Sequence, residues 1–214
     1  RTHFRKAMDT LMTNRRNQFP DEAELQRLRT QAQSIRANAL SKLPELLEQL
    51  ESNLVRNGVQ VHWAETTDEA NRIVLNILQQ HNARSIIKGK SMVSEEMGLN
   101  HFLEQQGIEA LESDLGEFII QLDGETPSHI IMPAIHKNKE EIARLFNARF
   151  PHIPYTDDVD ELTRNARAIL RDKFYSAPVG LSGVNFAVAE TGTLCLVENE
   201  GNGRMATTVP PVHI

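Results

Sequence analysis

The chain has 214 residues, 40% of them hydrophobic and only 5% aromatic, enough to bury one sizeable core with a small helical appendage. A formal net charge of −6 and an isoelectric point near 5.8, with basic residues scattered, give no electrostatic ground for binding nucleic acid or an anionic membrane surface. No apolar run reaches the roughly 20 residues that span a bilayer, and the polar, Arg-containing start lacks the apolar core of a secretory signal, so no transmembrane segment and a cytoplasmic location are expected.

From Asp21 onward, Leu25, Leu28, Ala32, Ile35 and Ala39 fall three and four apart and predict a helix with one apolar face. Pro44 lacks an amide hydrogen and ends that helix, yet it suits the first turn of a second one through Leu46, Leu47, Leu50 and Leu54, which Gly58 closes. Residues 1–57 thus read as an N-terminal helical extension with a packing or dimerisation role, and residues 58–214 as an α/β domain. Residues 59–63 read as a strand; Thr66 with Glu69 resembles a capping box, followed by the face Ala70, Ile73, Val74, Ile77 and Leu78. Residues 85–87, 108–111 and 129–132 read as further strands, with a polar helix after the first and an ambiguous segment at 115–122. Asn138 with Glu141 opens a helix faced by Ile142, Leu145, Phe146 and Phe150, and Asp158 with Glu161 opens another through Leu162, Ala166, Ile169, Leu170 and Phe174. Alternating strand and helix is the α/β signature. The rhythm then breaks: residues 186–189 and 193–197 predict a hairpin around Glu190-Thr191-Gly192, and 200–203 a second tight turn, so a mixed sheet flanked by helices is expected. Cys195, the lone cysteine, can make no internal disulfide and by itself holds neither an iron-sulfur cluster nor a structural zinc. The first residue is Arg1 and the apolar residues 210–214 read as the start of another strand, so the chain is expected to be a segment of a longer protein.

Several residues carry possible chemistry. Lys88-Gly89-Lys90-Ser91 follows a strand and precedes a helix, where free amides and the helix dipole can receive a phosphate or carboxylate. It lacks the upstream glycine of a Walker A loop, and a solvated turn explains it equally well. Glu112 and Asp114 end a strand, and in such folds the carboxyl ends of strands line the ligand crevice; Glu95 and Glu96 read better as ordinary dipole compensation. His129 and His136, seven residues apart, are candidates for a general base near neutral pH; metal binding ranks below a substrate or structural hydrogen bond, because metal-ligand pairs are commonly closer in sequence or come with a third ligand. The densest constellation is Asn185, Glu190 and Thr191, then Glu198, Asn199, Glu200, Gly201 and Arg204, in two glycine-bearing turns beside apolar strands. Turn chemistry explains the glycines and asparagines; the crowding of carboxylates with an arginine suggests a site, in which Arg204 offers a planar fork to a substrate carboxylate. Glu190, Glu200 and His136 are the candidate catalytic groups; Lys88, Lys90, Ser91, Glu112, Asp114, His129, Asn185, Thr191, Asn199, Gly201 and Arg204 are the candidate substrate-binding groups. Lys90, Glu190, Glu200 and Arg204 are expected to converge on one crevice.

Lys88-Gly89-Lys90-Ser91-Met92, Glu112-Ser113-Asp114-Leu115-Gly116-Glu117, Pro127-Ser128-His129-Ile130, Pro133-Ala134-Ile135-His136-Lys137, residues 185–192 and Asn199-Glu200-Gly201-Asn202-Gly203-Arg204 together resemble the LUD domain of the lactate utilization protein B family. The match runs in order over nearly the whole chain and is specific as a set. The resemblance implies a fold similar to the sugar-phosphate isomerase and CoA-transferase superfold, and a subunit of a multi-subunit system oxidising L-lactate to pyruvate. It also implies a ferredoxin-like segment with [4Fe-4S] clusters beyond residue 214, with no cofactor and no metal in this stretch, which alone should not relay electrons. A small carboxylate and the other subunits of the system are the implied partners. Alternatives are a CoA-transferase-like or sugar-phosphate enzyme of that superfold, with Glu198 or Glu200 as nucleophile or base, and a structural assembly module.

Overall fold

The computed structural model describes residues 2–130 and 132–214, without the side chains of residues 2–4, 6 and 7. The chain falls into two compact units. The first holds residues through Val61 together with Phe186–Cys195. It contains helices α1 (Thr2–Gln18), α2 (Glu22–Ser41) and α3 (Leu43–Arg56) and the antiparallel hairpin of β4 (Phe186–Val188) and β5 (Thr193–Cys195). Helix α1 was not foreseen from the sequence. The side chain of Asp21 caps α2, and Pro44 sits in the first turn of α3, where its missing N–H leaves nothing unpaired. Gly58 turns left-handed at φ 85 and Val59 N–H donates to the Leu54 carbonyl, closing α3. The strand expected over 59–63 is absent: these residues form no ladder, and Val59 and Trp63 stay exposed. Asn53 and Asn57 hold the hairpin instead, donating to the carbonyls of Ala189 and Glu190 and of Thr191 and Gly192 at 2.6–3.2 Å.

The second unit, His62–Asn185 with Leu196–Ile214, is a three-layer α/β body. Strands β1 (Ser85–Lys88), β2 (Glu109–Glu112), β3 (Val179–Leu181) and β6 (Val212–His213) make a sheet of order β2-β1-β3-β6, parallel throughout. The mixed sheet expected from the sequence is corrected here: among the described residues the four-stranded sheet is parallel and the antiparallel hairpin forms a separate two-stranded ribbon. Parallel strands buried on both faces need apolar residues pointing both ways, and β1 supplies them. Ile86 enters a core with Val74 and Leu78 of α4 (Thr67–Gln80) and Leu99 and Leu103 of α6 (Leu99–Gln105); Ile87 enters the opposite core. That second core draws on α7 (Leu115–Asp123), α8 (Lys139–Arg149), α9 (Val159–Ser176) and α10 (Asn202–Thr208), through Phe118, Phe146, Leu170 and Ala206. Asn138 and Glu141 complete the anticipated capping box of α8. The polar helix expected after β1 is broken at left-handed Gly98 into α5 (Met92–Glu96) and α6. Of the strand expected over 129–132, the described residues show none: His129 and Ile130 lie in bends and Met132 in no strand, while Ile131 lies outside the described residues. Among the described residues no helix is long and apolar enough to cross a membrane.

Candidate functional site

The carboxyl ends of β1, β2 and β3 open onto a cleft of about 600 Å3. Parallel strands place their outgoing loops on one edge, the usual ligand position of open α/β sheets. After β1 come Lys90 and Ser91, after β2 Asp114, after β3 Asn185, and the segment before α10 contributes Asn199 and Glu200. Ser91 caps α5 by accepting from Ser94 N–H at 3.3 Å, and Asp114 caps α7 by accepting from Glu117 N–H at 3.1 Å. Asn185 Oδ1 accepts from Val197 N–H at 2.8 Å, tying the β3 loop to the approach to α10.

Among the described residues Lys90 is the one cationic residue lining this cleft. Its ammonium lies 3.8 Å from Asp114 and 3.6 Å from Glu117, with 28% of its side chain exposed. Glu117 was not foreseen as a site residue, yet its pKa is pushed up to about 7. Burial is the largest cause, partly opposed by Lys90 and reinforced by the charges of Glu112, Glu95 and Asp114. A perturbed carboxyl beside a cleft is a mark of functional sites. Three residues after a capping aspartate, Glu117 looks in the sequence like ordinary dipole compensation. Glu200 is also raised, first by burial of its carboxyl end and next by Asp114; the Leu115 amide and Lys90 oppose the shift.

Lys88 and Glu112 lie one layer deeper. Lys88 is 2% exposed. Its ammonium donates to Glu112 at 2.5 Å and to Asn100 at 2.7 Å, while Asn100 donates to the same Glu112 oxygen at 2.7 Å. A buried pair satisfied in this way is an internal fixture, and removing one partner strands the other charge at a cost of about 3–5 kcal/mol.

The remaining predicted residues lie elsewhere. His136 bonds Ser128 Oγ through Nδ1 and Glu125 through Nε2, each at 2.7 Å, in the loops after α7, where Lys137 also pairs with Glu125 and Asp123. His129 Nδ1 accepts from Met132 N–H at 3.2 Å. Neither histidine lines the cleft. Glu190 and Thr191 belong to the hairpin of the first unit, where Thr191 donates to Thr193 Oγ1 at 2.8 Å. Gly201, left-handed at φ 84, starts α10, so the turn expected over 200–203 continues into a helix. Arg204 is 79% exposed, lies 3.3 Å from Glu198 and lines a neighbouring groove that shares Glu200 and Asn202 with the cleft. Of the four groups expected to converge, Lys90 and Glu200 therefore meet in the cleft and Arg204 adjoins it. Among the described residues no group of three or more His, Cys, Asp and Glu side chains can hold a metal ion. One cysteine does not match the four thiolates of a [4Fe-4S] cluster.

The LUD domain family model matches residues 47–214. The chain is 43% identical over 209 residues to the uncharacterized electron transport protein YkgF of Escherichia coli (strain K12), covering 97% of this chain and 44% of that protein. It is 42% identical over 209 residues to lactate utilization protein B of Bacillus subtilis (strain 168), covering 97% and 43%, and 45% identical over 187 residues to the protein of that name from Bacillus licheniformis, covering 87% and 39%. The chain thus spans less than half the length of these curated relatives. No solved structure matches it.

Proposed function

The chain belongs to the LUD domain family, and from that premise we propose that it is the ligand-binding part of a cytoplasmic protein that oxidises L-lactate to pyruvate, with the cleft receiving the small carboxylate. The observation that carries this is Lys90, a partly exposed cation beside the capping Ser91 at the carboxyl ends of three parallel strands. In this reading Lys90 binds the substrate carboxylate, Ser91, Asn185 and Asn199 orient it, and Glu200 accepts the proton of the hydroxyl group. Relatives named for lactate utilization and electron transport favour this chemistry. Oxidation releases two electrons and two protons: Glu200 takes the hydroxyl proton, the Cα hydrogen would leave with its electron pair to a two-electron redox group of a partner subunit, and [4Fe-4S] clusters outside this stretch, which accept one electron each, would carry the electrons onward. We also assign the α/β part to the sugar-phosphate isomerase and CoA-transferase superfold, with residues 1–57 as its helical extension.

Calorimetry with L-lactate and with pyruvate tests the site. Lys90→Ala should weaken binding by about 1.5 to 3 kcal/mol, the range for a hydrogen bond to a charged group, with an unchanged circular dichroism spectrum. Equal affinity in wild type and variant would remove Lys90 from the site, and no binding of either acid would overturn the carboxylate reading.

A further inference from the structure

A second hollow, of about 550 Å3, lies beside α9 and α10. Its lining combines apolar Leu115, Leu170, Phe174 and Met205 with three arginines, Arg167, Arg171 and Arg204. Arg167 and Arg171 are one helical turn apart on α9 and so share a face, and Arg204 comes from α10. The Arg171 guanidinium lies 5.5 Å over the Tyr175 ring and donates to its hydroxyl at 3.4 Å, and Arg204 reaches Glu198 at 3.3 Å. No described carboxylate forms an ion pair with Arg167 or Arg171. Among the described residues Glu200 is the one acidic residue lining the hollow. In a chain of net charge −6, three arginines gathered with apolar side chains and so little compensation form a local field that favours an anion.

We propose that this groove binds an organic phosphate of the mononucleotide class, its phosphate on the guanidinium forks and its ring on the apolar side chains. A phosphate monoester brings close to two charges and three terminal oxygens, which several planar forks can share, whereas a carboxylate brings one charge and two oxygens. The volume suits a small ligand, and an apolar lining with a few polar groups is the usual make-up of such sites; here Ser113 and Thr163 add hydroxyl groups. The groove shares Glu200 and Asn202 with the carboxylate cleft, so its ligand sits next to whatever that cleft holds. Its case rests on the arginines and does not depend on the cleft binding lactate.

The test titrates the chain with AMP and with flavin mononucleotide, each against its nucleoside (adenosine, riboflavin) and against inorganic phosphate. At least one mononucleotide should bind about ten-fold or more tightly than both its nucleoside and inorganic phosphate. The double variant Arg167→Ala with Arg171→Ala, both exposed positions, should lose about ten-fold or more of that affinity while keeping its circular dichroism spectrum and its response to L-lactate. Lys90→Ala should leave mononucleotide binding unchanged, which separates failure of this groove from failure of the cleft. Binding no tighter than inorganic phosphate, or a double variant that binds like wild type, would overturn the proposal.

Discussion

Glu117 couples the candidate site to proton concentration. The carboxyl ionises near 4.5 when unperturbed and near 7 in the folded chain, so between those values the folded state holds a proton that the unfolded state has released. Its contribution to stability therefore falls as pH rises from about 4.5 to 7, and above that range the full cost is on the order of 3 kcal/mol, at about 1.4 kcal/mol per pKa unit. Glu117→Gln removes the buried charge. It should raise stability to urea by up to about that amount at pH 8 and change it little at pH 4.5; equal effects at the two pH values would mean that the carboxyl is not perturbed. The same proton changes what Lys90 faces, because a neutral Glu117 no longer competes for an ammonium 3.6 Å away. Carboxylate binding at Lys90 should accordingly strengthen as pH falls from 8 to 6, and the calorimetric titrations should show proton uptake.

At the level of elements, α10 is seated directly on the sheet at Gly180. A Cβ there would stand 1.9 Å from the Ala206 carbonyl oxygen, a backbone atom that cannot swing aside. Gly180→Ala must push α10 off β3, and with it the loop carrying Asn199 and Glu200; it should cost at least about 3 kcal/mol, the upper part of the overpacking range, seen as a lowered midpoint in urea. A stability equal to wild type would contradict this close packing. The same strand marks the limit of what could be read in advance. The α9 face of Leu162, Ala166, Leu170 and Phe174 was legible because long helices repeat their apolar spacing, and all four are buried. Three residues with a central glycine, Val179–Leu181, give no alternation to detect. The hairpin was legible from its turn, but local sequence does not say which strands a ribbon will join, and residues 59–63 show that β-prone residues without a partner make no strand. Lys90, Ser91 and Asp114 were legible as strand-end residues. The pKa of Glu117 and the grouping of Arg167 with Arg204 arise from segments brought together only by folding.

For the whole molecule, burial is unevenly distributed. Helix α2 runs for 20 residues without one buried residue, and Ile35 and Leu40 are more than half exposed, whereas β1 presents Ile86 and Ile87 at 1% and 0%. A helix without tertiary burial is marginal in water and opens at low free energy. Limited trypsin digestion should therefore cut at Arg27, Arg29 or Arg36 well before any site within His62–Asn185; first cuts in α9 would show that α2 is held more firmly than its burial suggests. The parallel sheet has a consequence in time. Strand β2 reaches β1 after one short crossover through α5 and α6, but β3 can pair with β1 only after α7, α8 and α9 have been laid down. During that interval the far edge of β1 is bare, its amides and carbonyls unpaired and its isoleucines uncovered, which is the template on which chains join one another. Slow closure over distant segments prolongs the exposure. Refolding from urea should give a yield that drops as chain concentration rises, and a yield independent of concentration would mean that β3 docks before neighbouring molecules can meet.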